Sequence, residues 1–420
     1  MPRGVGPAYR KGARLRLFRL RAAGDRPHRS RGLDPGEVTS PPAGPFESLI
    51  VDSPATGPQP VAHAPTGTRY AKFVIIRRMR SMKPLWMMGA PGSPYTRKMR
   101  AYLRYRLIPY RMIQQGSPQH EGRPRPKVEL LPTFYLPDES GNEAAVTDST
   151  PLIRRFEKEF DGRSAIPSDP VIAFIDALLE DFADEWLTKA MFHYRWYYAD
   201  DIKKAASILP LWRKVDISDE EVKPFSDFIA QRQTERLWVV GSNDTTAPVI
   251  EGSYKRTLAL FDAHLQGTPF LMGRRPGSCD FGFLGQLTCL ALFDPTPSAI
   301  VVSDAPRIWA WVEASEELSG LEPSEDEWIT RESLPESLRA LLGEVGRVYT
   351  PFLLANAEAI EKGAERVETT IDGLPWTQKP FPYQRKCLRW LRERYAALAP
   401  NDRAAVDGIL ADTGCEPLFT

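Results

Sequence analysis

Residues 83–106 constrain the fold more than any other stretch of the chain. They begin with an apolar run of strand length at 85–88 and continue through turn-forming residues at 89–92. Ser93-Pro94 is predicted to start a helix, because apolar side chains then recur every three or four residues. Ser93 would be the N-cap, with Pro94 at the first helical position. Its hydroxyl would also lie where unpaired N–H groups and the helix dipole favour an anion, such as a thiolate.

The elements that follow predict a small mixed domain. A second strand is expected at 108–113, followed by a polar, proline-rich connector at 114–127. A third strand at 128–136 contains Pro132, which indicates either an edge strand or a cis X-Pro bond that turns the chain just before the strand. The order β-α-β-β-β-α is then completed by a turn, a returning strand and a helix, at 137–142, 143–146 and 152–160.

The rest of the chain is predicted to be helical. After a linker at 161–170, a long helix at 172–198 carries an apolar face with acidic residues around it. The segment 280–293 is almost wholly apolar and should be the buried centre of this region, with Gly277 as N-cap and Asp280 three residues later. Other helices are expected at 220–238, 248–265 and 306–314. Beyond residue 345, helices and a hairpin are expected at 351–367, 368–381, 383–398 and 404–411.

Composition and charge restrict the function classes. The 420 residues are 42% hydrophobic and 26% charged, as in ordinary soluble proteins, and the length allows two or more domains. No apolar run reaches the ~18–20 residues that a membrane span needs. The five histidines are scattered, and the four cysteines show no CxxC spacing. We therefore expect no metal site, and free thiols in a reducing compartment.

Residues 1–82 do not have the pattern of a domain. They contain 11 prolines and hold 15 Lys and Arg against 5 Asp and Glu, so we expect disorder, apart from a short apolar piece at 70–76. The Arg-rich start resembles an organelle transit peptide. The interpretation we favour is a true start at Met79 or Met82, just before the first strand. A nucleic-acid or membrane-surface role is disfavoured, because the tail has neither an amphipathic nor an aromatic-interleaved pattern, and the remaining chain is mildly acidic.

A β-α-β-β-β-α unit followed by helices resembles the cytosolic glutathione transferase superfamily, which has an α+β thioredoxin-like N-terminal domain and an all-α C-terminal domain. The segment GSPYTRKMR at 92–100 resembles the start of the first helix, where Ser or Cys activates the glutathione thiol. PFLMGRRPGSCDFGFLGQL at 269–287 resembles the capping-box loop and core helix, with Gly277 where the family usually has Ser or Thr. Leu131-Pro132 and TDST at 147–150 complete the match, which spans about residues 83–315.

The resemblance implies a role for each of these residues. Ser93 would donate a hydrogen bond to the glutathione sulfur and enlarge the thiolate fraction of a thiol whose pKa is otherwise near ~8.5. Tyr95 and Thr96 could also reach the sulfur, although Tyr95 fits equally well as a core residue of the first turn. The backbone at Leu131-Pro132 would pair with the cysteinyl part of glutathione. Asp148 would bind the α-amino group of the γ-glutamyl end, and Ser149 with the following N–H groups would bind its carboxylate. The same residues could instead be helix caps and a cis-proline corner without a ligand.

An aromatic cluster in the long helix falls where the superfamily builds the pocket for an apolar co-substrate. Four of its residues are predicted to line that pocket, although they could equally form core or interface: Trp186, His193, Tyr194 and Tyr197. Position 93 is Ser, and Thr96 stands where a second redox cysteine would be, so disulfide exchange is disfavoured. The short connector at 114–127 stands where a second helix usually lies, so part of the glutathione-binding wall would differ.

The sequence thus predicts a disordered tail at 1–82, a thioredoxin-like glutathione-binding domain at 83–162, an all-helical domain at 168–345 and a C-terminal helical extension at 346–420. The implied function is conjugation of glutathione to an apolar electrophile, as in detoxification. We expect a cytoplasmic homodimer that uses no metal, nucleic acid or membrane. The alternative is a non-catalytic binding or assembly module of the same fold, which the reduced connector and the long extension favour.

Overall fold

Four strands form a mixed sheet at the start of the described chain. The structure, a computed structural model, describes residues 83–114 and 117–420, so the predictions for 1–82 lie outside it. The strands follow the spatial order β2-β1-β3-β4. β1 pairs in parallel with β2 and antiparallel with β3, and β3 pairs antiparallel with β4. Their bounds are β1 Leu85–Gly89, β2 Tyr110–Gln114, β3 Thr133–Pro137 and β4 Glu143–Val146.

Two helices pack on one face of this sheet. Helix α1 (Pro94–Tyr105) follows β1, and helix α2 (Ser149–Glu159) follows β4. Their apolar residues share the main core with inward-facing strand residues such as Met87 and Phe134. The order β-α-β-β-β-α and the sheet topology are those of the expected thioredoxin-like domain, which is confirmed.

The opposite face of the sheet is covered differently. Only a small cluster of Met88, Ile113 and Tyr135 is buried there. In the described part of the connector, a single 3-10 turn forms at Pro118–His120. The Arg123 guanidinium lies 4.7 Å from the centre of the Tyr135 ring and 4.6 Å from that of Trp86. Arg123 therefore covers part of this face through cation–π contacts. This is the face where the short connector was expected to replace a second helix.

The predicted strand at 128–136 is shorter than expected. The Leu131-Pro132 peptide bond is cis, and β3 begins only at Thr133. Of the two interpretations of Pro132, the cis bond that turns the chain before the strand is confirmed.

The second part of the chain is helical, and its first helix contains a π turn. The prediction of a long helix at 172–198 is confirmed: the chain is helical from 170 to 197, with a π turn at Ala183–Leu187 between two α-helical segments. All five residues of that turn are buried, including the acidic Asp184 and Glu185. The helices up to residue 315 are α3 Pro170–Phe182, α4 Thr188–Tyr197, α5 Ala199–Ile208, α6 Asp219–Thr234, α7 Ala247–His264, α8 Ser278–Leu287, α9 Pro295–Asp304 and α10 Pro306–Ser315.

Helix α8 is the buried centre of this part, as expected. All ten of its residues are buried. The Gly277 N–H donates to Asp280 Oδ2 at 2.9 Å, and the Leu271 N–H donates to Asp280 Oδ1 at 2.8 Å. The predicted capping arrangement of Gly277 and Asp280 is therefore confirmed.

The C-terminal extension shares this core. Its Trp376 is 1% exposed and packs 5.4 Å from Trp186 and 5.8 Å from Phe352, measured between ring centroids. The buried cluster runs without a break from the first strand to Leu418. After α10 come α11 Glu336–Glu344 and a π turn at Val345–Tyr349. The further elements of the extension are α12 Thr350–Glu361, β5 Val367–Ile371, β6 Leu374–Gln378, α13 Pro382–Ala397 and α14 Pro400–Leu410.

Candidate functional site

Ser93 lies at the junction of β1 and α1, and its hydroxyl makes two hydrogen bonds. Its Oγ accepts from the Thr96 N–H at 3.2 Å, so the predicted N-cap is confirmed. The same hydroxyl donates to the Leu131 carbonyl, also at 3.2 Å. The first turn of α1 and the cis-proline corner are thus joined directly at Ser93.

The turn before Ser93 is fixed from the helical side. The Arg195 guanidinium donates to the Gly92 carbonyl at 2.8 Å and is held by Asp294, with three N···O distances of 2.9 to 3.1 Å. A Cβ atom on Gly92 would lie 2.7 Å from the Trp212 ring. Only glycine therefore allows Trp212 to approach the turn so closely.

A cavity of about 840 Å³ opens beside Ser93. This volume is within the range of small-molecule pockets. On the sheet side it is lined by Ser93, Leu131, Arg125 and neighbouring residues. On the helical side it is lined by Phe192, Arg195, Trp196, Trp212, Phe228 and Arg232 among others. Aromatic walls with a few cationic groups suit a ligand with an apolar body.

Two of the four predicted pocket residues are core residues. Trp186 is 3% exposed, and its Nε1 donates to Ser253 Oγ at 2.8 Å. Tyr194 is 1% exposed and stacks on Tyr198, with 5.8 Å between ring centroids. Neither residue lines the cavity beside Ser93.

The other two predicted pocket residues also face away from the cavity. His193 is buried and contacts Ser242 Oγ at 2.8 Å through Nδ1, and burial lowers its pKa. Tyr197 donates to Asp244 Oδ1 at 2.7 Å. Positions 192 and 196 lie on one face of α4, while 193, 194 and 197 lie on others, because successive helical residues are rotated by about 100°. Phe192 and Trp196 of this aromatic cluster therefore line the cavity, and the four residues that were expected to line it do not.

Tyr95 does not direct its hydroxyl to the sulfur position. Its phenol donates to the Asp184 carbonyl at 2.7 Å, inside the helical part. Burial, followed by the nearby Glu185 and Asp184, raises the pKa of Tyr95 well above its usual value. Its hydroxyl is thus a neutral packing contact between α1 and the π turn.

Asp148 and Ser149 lie at the start of α2, as expected. Asp148 has a φ of 83°, a left-handed conformation that is strained for a residue with a side chain. Its Oδ2 accepts a hydrogen bond from the Tyr383 hydroxyl of the extension at 2.8 Å. Ser149 is 6% exposed, and its side chain has no hydrogen-bond partner among the described residues. Neither residue lines the cavity that contains Ser93.

A buried ion cluster joins α1 to the helical part behind this site. Lys98 Nζ lies 2.7 Å from Glu180 Oε1 and 2.5 Å from Asp184 Oδ2, and Arg154 also binds Glu180 at 2.6 Å. Burial alone would lower the pKa of Lys98, but the two carboxylates hold it above its usual range. Burial alone would raise the pKa of Glu180, but Arg154 and Lys98 lower it to about 2. The cluster fixes the orientation of α1, which carries Ser93 at its start.

The four cysteines are buried and unpaired, as predicted from their spacing. Within residues 83–114 and 117–420, no group of three or more His, Cys, Asp or Glu side chains is placed to hold a metal ion. In the same part of the chain, no helix combines the length and apolar composition that a bilayer crossing requires.

Comparison with known proteins agrees with this geometry. Residues 87–164 match the family model described as the glutathione S-transferase N-terminal domain. The match covers 78 of the 420 residues and identifies residues 87–164 as a domain of this family. The matched residues run from β1 to just beyond α2 and include Ser93, Leu131-Pro132, Asp148 and Ser149. No curated protein matches the chain.

Several solved glutathione transferases are also similar. One from Methylobacterium radiotolerans, in complex with glutathione sulfonate, is 17% identical, with 57% of this chain and 95% of that chain covered and a TM-score of 0.31. One from Pseudomonas fluorescens, with two glutathione molecules bound, is 13% identical, with 58% and 97% covered and a TM-score of 0.34. Glutathione transferase E6 from Drosophila melanogaster is 17% identical, with 61% and 94% covered and a TM-score of 0.32.

Reasoning from the sequence missed several residues at this candidate site. Trp212 and Phe228 line the cavity from the chain around α6, and Tyr383 contacts Asp148 from the extension. Gly92 was a signal for Trp212, because a glycine next to a helix start leaves space for a close neighbour. We find no comparable sequence signal for Tyr383, which lies 235 residues from Asp148 in the chain.

Proposed function

We propose that this protein conjugates glutathione to apolar electrophilic small molecules. The observation that carries the proposal is the Ser93 hydroxyl, which lies at a helix N-terminus, beside the cavity and against the cis-proline corner. A thiolate bound there would replace the Leu131 carbonyl as acceptor of the Ser93 hydroxyl hydrogen bond, because an anion is the stronger acceptor. The α1 dipole favours the same anion.

The proposed chemistry is a single nucleophilic step. The thiolate of bound glutathione attacks the electrophilic carbon and forms a carbon–sulfur bond. In a substitution, the bond to the leaving group breaks and the leaving group departs with its electron pair; in an addition, the π electron pair moves onto the neighbouring atom, which takes a proton from water. Ser93 donates a hydrogen bond and is not itself the nucleophile. One such donor contributes at most a few kcal/mol, so holding the two reactants together in the cavity supplies much of the acceleration.

The cavity supports an electrophile that carries an anionic group on an apolar body. Trp196, Trp212 and Phe228 provide apolar walls. Arg125 and Arg232 line the same cavity, and neither has a carboxylate within 4.0 Å among the described residues. A detoxifying role, a cytoplasmic setting and a homodimeric assembly belong to the same proposal, and the four unpaired cysteines support a reducing compartment.

A non-catalytic member of the same fold is the second candidate. Two observations favour it: the Ser93 hydroxyl already bonds the Leu131 carbonyl, and neither Asp148 nor Ser149 lines the cavity beside Ser93. Such a protein would bind glutathione without turnover, or would not bind it.

Calorimetry of glutathione binding, together with the ultraviolet absorbance of the bound thiolate, tests the proposal. Ser93→Ala should bind glutathione with a raised thiol pKa, and Ser149→Ala should bind it more weakly. Ser218→Ala is the matched control, because Ser218 is also an N-cap serine, on α6, and its loss should cost a similar ~1 kcal/mol of stability without changing the thiol pKa. If the parent protein binds no glutathione at millimolar concentration, the proposed enzyme is ruled out. Binding without turnover of any electrophile would favour the second candidate.

A further inference from the structure

We propose that the C-terminal extension completes the γ-glutamyl end of the site, through Tyr383 and Lys386 of α13. This inference rests on the proposed function, since it assigns residues to the same glutathione site. Tyr383 is the positioning residue for the Asp148 carboxylate, and Lys386 binds the ligand's α-carboxylate.

The contacts with Asp148 come from one side of α13. The Tyr383 hydroxyl donates to Asp148 Oδ2 at 2.8 Å, and Lys386 Nζ lies 3.9 Å from the same oxygen. Positions 383 and 386 share a helix face because they are three residues apart. Lys386 retains 42% side-chain exposure, so its ammonium can move from Asp148 to an incoming anion.

The start of α13 is held in place independently of Asp148. Asn356 of α12 is fully buried and makes two hydrogen bonds with the Phe381 backbone. Its Oδ1 accepts from the Phe381 N–H at 2.8 Å, and its Nδ2 donates to the Phe381 carbonyl at 3.1 Å. The Gln384 amide donates to the Glu185 carbonyl at 3.3 Å. Cys387, 2% exposed, seats the next turn in the interior. Tyr383 is therefore presented by a fixed backbone.

Two polar groups beside these contacts remain ready for a ligand. Ser149 is more than nine-tenths buried and its hydroxyl has no partner in the described chain. Asp148 is held in a strained conformation by the chain around it. Burial raises the pKa of Asp148, while the Tyr383 hydrogen bond and Lys386 oppose that rise. A carboxylate in this setting gains most from a cationic partner.

The γ-glutamyl end of glutathione has the matching charges. Its α-ammonium group is a cation that can pair with Asp148 when Lys386 turns to the ligand, and its α-carboxylate fits the Ser149 hydroxyl, the first N–H groups of α2 and the Lys386 ammonium. Tyr383 keeps one Asp148 oxygen fixed, so the other oxygen faces the ligand. The extension thereby acts as part of the binding site for the thiol substrate.

The test compares glutathione with cysteinylglycine, which lacks the γ-glutamyl group, in binding experiments on the full chain. Tyr383→Phe should weaken glutathione binding about 3- to 10-fold, the value of one hydrogen bond. Lys386→Gln should weaken it about 2- to 5-fold, and Lys386→Arg should restore it. Cysteinylglycine binding should not change, because it does not reach Asp148. A purely structural effect would weaken both ligands alike.

Two variants provide matched controls. Tyr395→Phe removes the 2.6 Å hydrogen bond from a phenol of the same helix to Asp407 Oδ1, and Lys362→Gln removes an exposed lysine at the C-cap of α12. Neither should change glutathione binding.

Three results would overturn the inference, and they separate it from the proposed function. If the parent, Tyr383→Phe and Lys386→Gln bind glutathione equally well, the extension is not part of the site, and the proposed function still stands. Binding by Tyr383→Ala but not by the parent would show that the extension closes the site. Absence of binding in both would remove the proposed function together with the inference.

Discussion

The Oδ1 atom of Asp176 accepts a hydrogen bond from the Cys279 N–H at 2.9 Å, so a carboxylate on α3 caps the neighbouring helix α8. The N-cap residue of α8 is Gly277, which has no side chain to do this. A Cβ atom on Gly277 would lie 2.4 Å from the same Asp176 oxygen and 2.6 Å from Met272. The residue at 277 is therefore glycine, where the family resemblance led us to expect Ser or Thr, because Asp176 occupies the space.

This relationship predicts strong coupling between positions 176 and 277. Gly277→Ser should destabilise the protein by about 1–3 kcal/mol through overpacking. Asp176→Ala should cost about 1–3 kcal/mol, because it leaves buried donors of α8 unpaired. The double variant should cost clearly less than the sum, since the new Ser hydroxyl can cap α8 in the vacated space. Free energies of unfolding in urea give the coupling, and additive costs would show that the two positions act independently.

The cationic lining of the cavity predicts a charge preference among electrophiles. Arg232→Gln should lower kcat/KM about 2- to 5-fold for an apolar electrophile with a carboxylate, and should leave a neutral analogue of the same shape nearly unchanged. The difference should shrink at high salt, because screening weakens exposed charge pairs. Lys223→Gln is the control: this lysine is on the same helix, pairs with Asp227 and does not line the cavity. An equal loss for both electrophiles would contradict a charge effect.

The packing of the extension predicts opposite effects at two glycines three residues apart. A Cβ atom on Gly346 would lie 1.9 Å from the Thr413 carbonyl oxygen, whereas one on Gly343 would meet nothing within 4 Å. Gly346→Ala should therefore destabilise the protein by about 1–3 kcal/mol. Gly343→Ala, in helix α11, should stabilise it by about 0.5–1 kcal/mol. Thermal or urea unfolding of the two variants measures this, and similar stabilities would show that chain 413–414 does not pack on Gly346.

Local signals explain the parts of the fold that the sequence could predict. The hydrophobic periods of β1 and α1, the Ser93 cap and the pairing of Gly277 with Asp280 all involve residues a few positions apart. Helices α5, α9 and α11 were not predicted, since each spans only 9 or 10 residues and offers few periodic positions. The π turn in the middle of the predicted 172–198 helix also leaves no compositional trace.

Long-range contacts explain what the sequence could not predict about the site. Aromatic residues of α4 were identified correctly as a cluster, but which of them face the cavity depends on how α4 is rotated by the π turn before it. Trp212 and Tyr383 reach the site from α5–α6 and from the extension, and no short-range pattern records such an approach. The acidic residues predicted to surround the apolar face of α3 are largely buried for the same reason, because Lys98 and Arg154 reach them from another part of the chain.

Lys189 is a buried cation without a carboxylate partner. It is 1% exposed, and its Nζ donates to the Val240 carbonyl and to Gln378 Oε1, both at 3.2 Å. The Phe352 ring centre lies 4.0 Å from Nζ. No Asp or Glu oxygen of the described chain lies within 4.0 Å of it. Burial, only partly opposed by Glu185, lowers the pKa of Lys189 from 10.5 to about 7.

This lysine predicts a stability that rises with pH. Between pH 7 and 10.5 the unfolded chain holds the Lys189 proton and the folded chain does not, so raising the pH favours the folded state. Below pH 7 the buried Lys189 destabilises the folded state by its full amount. As the pH rises above 7, this destabilisation decreases by at most about 1.4 kcal/mol per pH unit. Lys189→Met should lack this pH-dependent term. The free energy of unfolding of the parent should therefore increase relative to that of the variant from pH 7 to about 9.5. The exposed Lys203→Met should run parallel to the parent. A constant difference between the parent and Lys189→Met would mean that Lys189 keeps its proton in the fold, stabilised by the Phe352 ring and its two oxygen acceptors.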